Sequence, residues 1–218
     1  DGFTLSHVYE PADIMDQKEV NDFLPEYSPK YKLDTKKPVS MGPIGFPNSF
    51  MEFKLQQHEA MKKSLKVIKD VQKEFFKKFG RSYGNGLIEA YKTEDADYAL
   101  VATGTICSTS KDIVDELREK GIKVGLIKIK TFRPFPEEDI IEASKHLKGL
   151  AILDRNISLG QNGAIYTDIK AALKGCGTIV HSFIVGLGGR DVTPNTIKKA
   201  IDKTINAKVP LSEWILTT

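Results

Sequence analysis

From residue 87 onward the chain alternates short apolar runs with amphipathic segments. The runs LIEAY (87–91), YALVAT (98–103), KVGLIKIK (123–130), GLAILD (149–154) and TIVHSFIV (178–185) have the length and composition of strands. Between and after them stand STSKDIVDELREKG, PEEDIIEASKHL, GAIYTDIKAALKG and TPNTIKKAIDKTI, whose apolar positions recur at helical spacing. Ser and Thr offer caps at the head of the first of these helices, and Gly121 stops it. Strands separated by helices build βαβ units, and these require a parallel sheet covered on both faces. The expected fold is therefore α/β, a three-layer and mostly parallel sheet.

The first part of the chain follows another pattern. Up to about Phe50, Pro11, Pro25, Pro29, Pro38, Pro43 and Pro47 interrupt polar runs such as SPKYKLDTKKP. Proline withholds a backbone donor and restricts the residue before it, so an irregular arm is expected here. Next, Met61, Leu65, Ile68, Val71, Phe75 and Phe79 step by three or four, which predicts a helix from about Met51 to Phe79 with Gly80 as its stop. Lys62, Lys63, Lys66, Lys69, Lys73, Lys77 and Lys78 make its outer side basic, and a solvated face accounts for them. Two regions result: an arm with a long helix over 1–86, and an α/β domain over 87–218.

Composition excludes several classes. With 32 basic and 29 acidic residues the net charge is only +3, too balanced to call for nucleic acid or an anionic membrane. No apolar run approaches the roughly 20 residues that cross a bilayer. Cys107 and Cys176 stand apart without a CxxC pair, so neither a zinc site nor an iron–sulfur cluster is expected from this chain, and a cytoplasmic setting suits the two thiols. His7, His58, His146 and His181 are scattered, and each is expected to be structural or at the surface. The opening DGFTLSH lacks Met, which suggests a piece of something longer.

Functional residues of such a sheet gather in loops leaving the carboxyl ends of its strands. Four loops qualify: 104–110, 131–136, 154–163 and 186–194. The last, with Gly186, Gly188, Gly189, Arg190 and Asp191, has the look of a phosphate cradle before a helix. Asp191 stands where GxGxxG needs its third glycine, however, and no GxxxxGK[ST] occurs, so tight-turn glycines explain the loop better than a nucleotide does. A GxSxG elbow is also missing.

Taken in order, DGFTLSH, GLIEAY, DYALVATGT, LREKGIKVGLIKIKTFRPFP, AILDRNISLGQNGAIYTDIKAAL and GLGGRD resemble the alpha chain of the pyruvate:ferredoxin oxidoreductases, within the 2-oxoacid:ferredoxin oxidoreductase family. The likeness covers nearly the whole chain and falls in the latter part of that subunit. It implies that a thiamine-diphosphate pyrimidine-binding domain is missing apart from its end, at DGFTLSH, and that the segment from Leu87 is similar to a transketolase C-terminal domain whose one antiparallel strand is LIEAY. By the same resemblance, the whole enzyme interconverts pyruvate and coenzyme A with acetyl-CoA and CO2 and passes electrons to ferredoxin. Thiamine diphosphate, Mg and iron–sulfur clusters belong to that parent complex and its beta-, gamma- and delta-type subunits or domains. None of the family's catalytic residues maps onto this chain. A non-catalytic scaffold and docking role, with no cofactor of its own, is the expectation.

One arginine stands out against this background. Arg133 lies between Phe132 and Pro134, on a turn that Pro136 leads into a helix headed by Glu137, Glu138 and Asp139. An arginine held so stiffly is suited to fork onto a carboxylate of a neighbouring domain or subunit. Asp154, Arg155, Arg190 and Asp191, on adjacent loops, offer local partners. The competing expectation is an autonomous α/β module that binds an anionic ligand at the Gly186–Asp191 loop, and Arg133, Asp154, Arg155, Gly188, Gly189, Arg190 and Asp191 are the candidate interface or anion-site residues.

Overall fold

A computed structural model describes residues 12–42 and 44–216. DGFTLSH, with His7, and Pro11 and Pro43 lie outside the described residues. The chain divides into two compact units, with a boundary at Arg81 and Ser82.

In the first unit the proline-punctuated arm is irregular except for α1 (Gln17–Phe23), a short helix that the sequence reading did not include. Helix α2 runs over Phe50–Phe79, within one residue of expectation, and spans about 45 Å at 1.5 Å per residue. Gly80 ends it in the left-handed region at φ 68°, its N–H bonded to the Phe76 carbonyl. Phe23 of α1 meets Phe75 and Phe79 edge-on, at 5.9 and 5.4 Å between ring centroids. Arg81 donates to the Asp13 carbonyl at 2.9 Å and also pairs with its carboxylate. No residue of α2 is buried.

The second unit is built on a six-stranded sheet of order β1-β3-β2-β4-β5-β6. Its strands are β1 (Ile88–Tyr91), β2 (Tyr98–Ala102), β3 (Val124–Ile129), β4 (Gly149–Asp154), β5 (Ile179–Ile184) and β6 (Ser212–Trp214). β1 pairs antiparallel with β3, Ile88 opposite Ile129, and every other pair is parallel. Four helices connect them: α3 (Ile106–Glu119), α4 (Glu137–Ser144), α5 (Ala164–Ala172) and α6 (Pro194–Asn206).

The strand period of two divides the core cleanly. Leu100, Leu126, Leu153 and Phe183 point to one side, where Val114 and Leu117 of α3 and Ile197 and Ile201 of α6 cover them. Val101, Ile127, Ile152 and Val180 point to the other, against Ile140 of α4 and Ile165 and Ile169 of α5. The expected three-layer, mostly parallel architecture is the one found. β6 was not expected: SEW is short and polar, and it becomes a strand by pairing Ser212 to Trp214 with Ser182 to Ile184.

Candidate functional site

The chain passes from β3 over β2 to reach β4, so α3 and α4 leave the sheet on opposite faces. Such a reversal opens a crevice at the carboxyl ends of the strands on either side, here β2 and β4. A cavity of about 360 Å³ lies there, with Thr103, Gly104, Lys130, Phe132, Asn156 and Ile165 in its lining. Its polar groups are largely committed elsewhere. Lys130 donates to the Tyr83 carbonyl at 2.8 Å, and burial holds its ammonium pKa below the usual lysine range.

Asp154 ends β4 fully buried. Its carboxylate accepts the N–H groups of Ile165 at 3.1 Å and Tyr166 at 3.0 Å, and the Asn156 side chain at 3.2 Å. Asn156 in turn accepts the Ala164 N–H at 2.8 Å. The first turn of α5, which would otherwise attract an anion, is thus satisfied by the chain's own carboxylate and amide. Burial pushes the Asp154 carboxyl pKa up despite these hydrogen bonds. Gly163 makes the arrangement possible, since a Cβ there would lie 2.2 Å from the Asp154 Cγ.

Arg133 finds its carboxylate on α5. One of its terminal nitrogens lies 3.1 and 2.9 Å from the two oxygens of Asp168, and the other donates to the Phe132 carbonyl at 2.8 Å. The guanidinium sits 4.2 Å from the Phe132 ring centroid, and Phe132 meets Phe135 edge-on. The Arg133–Pro134 peptide is cis. Among the partners considered from sequence, Asp154 is therefore taken by α5, and Asp168 was missed because nothing local in the sequence links it to the turn.

The 186–191 loop leaves β5 beside the 154–163 loop, as the adjacency of β4 and β5 requires. Gly186, Gly188 and Gly189 all have positive φ. At Gly186 a Cβ would also lie 2.7 Å from Val192 Cγ2 and 3.0 Å from Arg155 Nε, which brings Arg155 against this loop. Arg190 and Asp191 are exposed. Thr193 caps α6 by accepting the Thr196 N–H at 3.3 Å, ahead of Pro194 in the first turn. A cleft of about 170 Å³, with Gly186, Arg190 and Trp214 in its lining, lies between this loop and the end of β6.

His146 and His181 have local partners, Cys107 is buried, Cys176 is half-buried and His58 is exposed. His146 bonds the Thr93 carbonyl at 2.8 Å. His181 accepts the Leu211 N–H on Nδ1 at 3.2 Å, and burial lowers its pKa. Burial raises the Cys107 thiol to about 11, far from a reactive thiolate. No group of three or more His, Cys, Asp or Glu among the described residues is placed to hold a metal. No helix among them is long and apolar enough to cross a membrane.

Comparison with known proteins bears on this geometry. Residues 96–197 match the family model for pyruvate:ferredoxin oxidoreductase core domain II, and residues 1–73 match the thiamine-diphosphate-binding model of the pyruvate flavodoxin/ferredoxin oxidoreductases. The chain belongs to the pyruvate:ferredoxin oxidoreductase family. It is 44% identical over 215 residues to the pyruvate synthase subunit PorA of Methanothermobacter thermautotrophicus, covering 99% of this chain and 55% of that one. To the ketoisovalerate oxidoreductase subunit VorA of Pyrococcus horikoshii it is 43% identical over 199 residues, covering 90% of this chain and 50% of the relative. The chain thus spans about half the length of these relatives. Among solved structures, a split-gene transketolase overlaps 58% of this chain and 44% of its own, with 13% identity and a TM-score of 0.45.

Proposed function

We propose that this chain is a portion of the alpha subunit of a 2-oxoacid:ferredoxin oxidoreductase, where it serves as scaffold and docking surface. The observation that carries the proposal is the contrast between its two units. Residues 87–215 supply a closed three-layer core. The arm and α2, which share the match to the thiamine-diphosphate-binding model, instead leave Leu33 at 91%, Tyr27 at 89% and Ile14 at 85% exposure, with Phe46, Phe50, Met51 and Leu55 also exposed. So much apolar surface is normally covered by a partner. The occupant proposed for it is the rest of a thiamine-diphosphate-binding domain of the same family.

In this reading the whole enzyme interconverts pyruvate and coenzyme A with acetyl-CoA and CO2, and electrons pass to ferredoxin. Thiamine diphosphate supplies the carbanion chemistry when bound. Among the described residues, the N-termini of α5 and α6 are capped from within the chain. On the family resemblance, the cofactor and the iron–sulfur clusters are assigned to other parts of the complex, contributed by beta-, gamma- and delta-type subunits or domains. The similar identities to a pyruvate synthase subunit and a ketoisovalerate oxidoreductase subunit leave the substrate class at 2-oxoacids.

Co-expression tests the proposal. The chain is produced with and without the part of the PorA relative that the match does not cover. A stable one-to-one complex is expected, weakened at least about tenfold when Tyr27, Leu33 and Phe46 are changed together to Ser. A segment that folds but does not associate would overturn the docking role.

A further inference from the structure

The cleft between the loop after β5 and the end of β6 brings together a cation, an exposed indole and apolar walls. Ile184 and Val185 line its buried side, and Arg190 and Trp214 line its mouth, with Trp214 52% exposed. Arg155 lies against Gly186 on the adjoining loop.

The nearby carboxylates are turned to other work or stand outside the cleft. Asp154 is engaged by the first turn of α5, and Glu213 pairs with Lys203 at 2.7 Å. Asp191 is exposed and does not line the cleft. Among the described residues that line the cleft, Arg190 is the charged one. A guanidinium at the rim of an apolar recess offers forked hydrogen bonds to a carboxylate or phosphate, while the indole offers a flat surface to an attached ring or alkyl group. At about 170 Å³ the cleft compares with the roughly 150 Å³ engineered cavity that takes up benzene.

We propose that this cleft binds a small organic anion, its carboxylate or phosphate on Arg190 and its ring-sized or short branched apolar body against Trp214. The proposal stands apart from the docking role and uses none of the arm residues on which that role rests.

Trp214 is the only tryptophan in the chain, so its fluorescence reports on the cleft directly. The full chain is titrated at low salt with benzoate and phenyl phosphate, with benzamide as the neutral counterpart and inorganic phosphate as the anion without a body. A saturable change is expected for at least one organic anion, with a Kd between about 10 μM and 1 mM. Binding should be at least about tenfold weaker for benzamide, for inorganic phosphate and for Arg190→Gln, and it should weaken with added salt. Arg190 is exposed, and an unchanged thermal transition confirms that the variant is folded. No saturable change below about 20 mM would overturn the proposal. So would equal affinity in Arg190→Gln, or inorganic phosphate binding as well as the organic anions.

Discussion

At the residue scale, the contact between Gly163 and Asp154 decides how the loop after β4 closes. A methyl group at Gly163 would collide with the Asp154 carboxylate, which is fixed by three hydrogen bonds and has no room to retreat. Gly163→Ala is therefore expected to cost about 2–3 kcal/mol through overpacking and a damaged cap, read as a lower urea midpoint. Asp154→Ala removes the cap without the collision and should cost about 1–2 kcal/mol. If Gly163→Ala proved neutral, this packing account of the loop would be wrong.

His181 adds a pH dependence at the same scale. Burial first, and Lys170 second, hold its pKa below the ordinary value of about 6.5, and the neutral ring accepts the Leu211 N–H that leads into β6. The unfolded chain therefore takes up this proton at a higher pH than the folded one does. The stabilising contribution is present above about pH 6.5 and is lost as pH falls through the folded pKa. Urea midpoints measured from pH 8 to 5 should decline more steeply for the native chain than for His181→Asn, which keeps an acceptor and does not titrate. Parallel curves would rule out His181 as the source.

At the element scale, α2 differs from the helices of the sheet unit. Its length and period are helical, and among the described residues Phe75 and Phe79 meet Phe23 and Lys78 lies 3.7 Å from Asp22. Helix stability comes mainly from packing an apolar face, and α2 buries none of its residues. Amide exchange in the isolated chain should accordingly be at least about tenfold faster across 50–70 than in α3 or β4. Addition of the proposed docking partner should slow it. Equal protection of α2 and β4 without a partner would contradict this picture. Arg133 works at this scale too, as a tie between the β3–α4 turn and α5 through Asp168. Because the pair is half-exposed, its direct contribution is modest, on the order of 0.2–1 kcal/mol.

At the scale of the whole molecule, both buried clusters are drawn from residues between Leu87 and Ile215. A chain cut to 82–218 is thus expected to keep a single cooperative unfolding transition. Its urea midpoint should lie close to that of the 218-residue chain, since the described residues of the arm contribute no buried core. A broad, non-cooperative transition would show that the arm completes the core after all.

The division between what could be read and what could not follows from the range of the forces. Strand runs such as GLAILD, the helical spacing through α2 and the stop at Gly80 are local patterns, and they set the α/β class and most element positions before any fold was known. LIEAY was placed as the antiparallel strand through family resemblance, since its four apolar or aromatic positions say nothing of direction. Other features depend on contacts between distant residues. β6 carries no period of its own and exists because β5 offers it an edge. Asp168 receives Arg133 across thirty-five positions of sequence, and Asp154 is withdrawn from any partner outside the chain because α5 begins directly over it. Trp214 joins Arg190 at one cleft only once β6 lies beside β5. Sequence alone determined the elements, because hydrophobic period and backbone restriction act over a few residues. Tertiary structure decided which charges are spent and which remain available, because a carboxylate's partners are set by where the fold brings its neighbours.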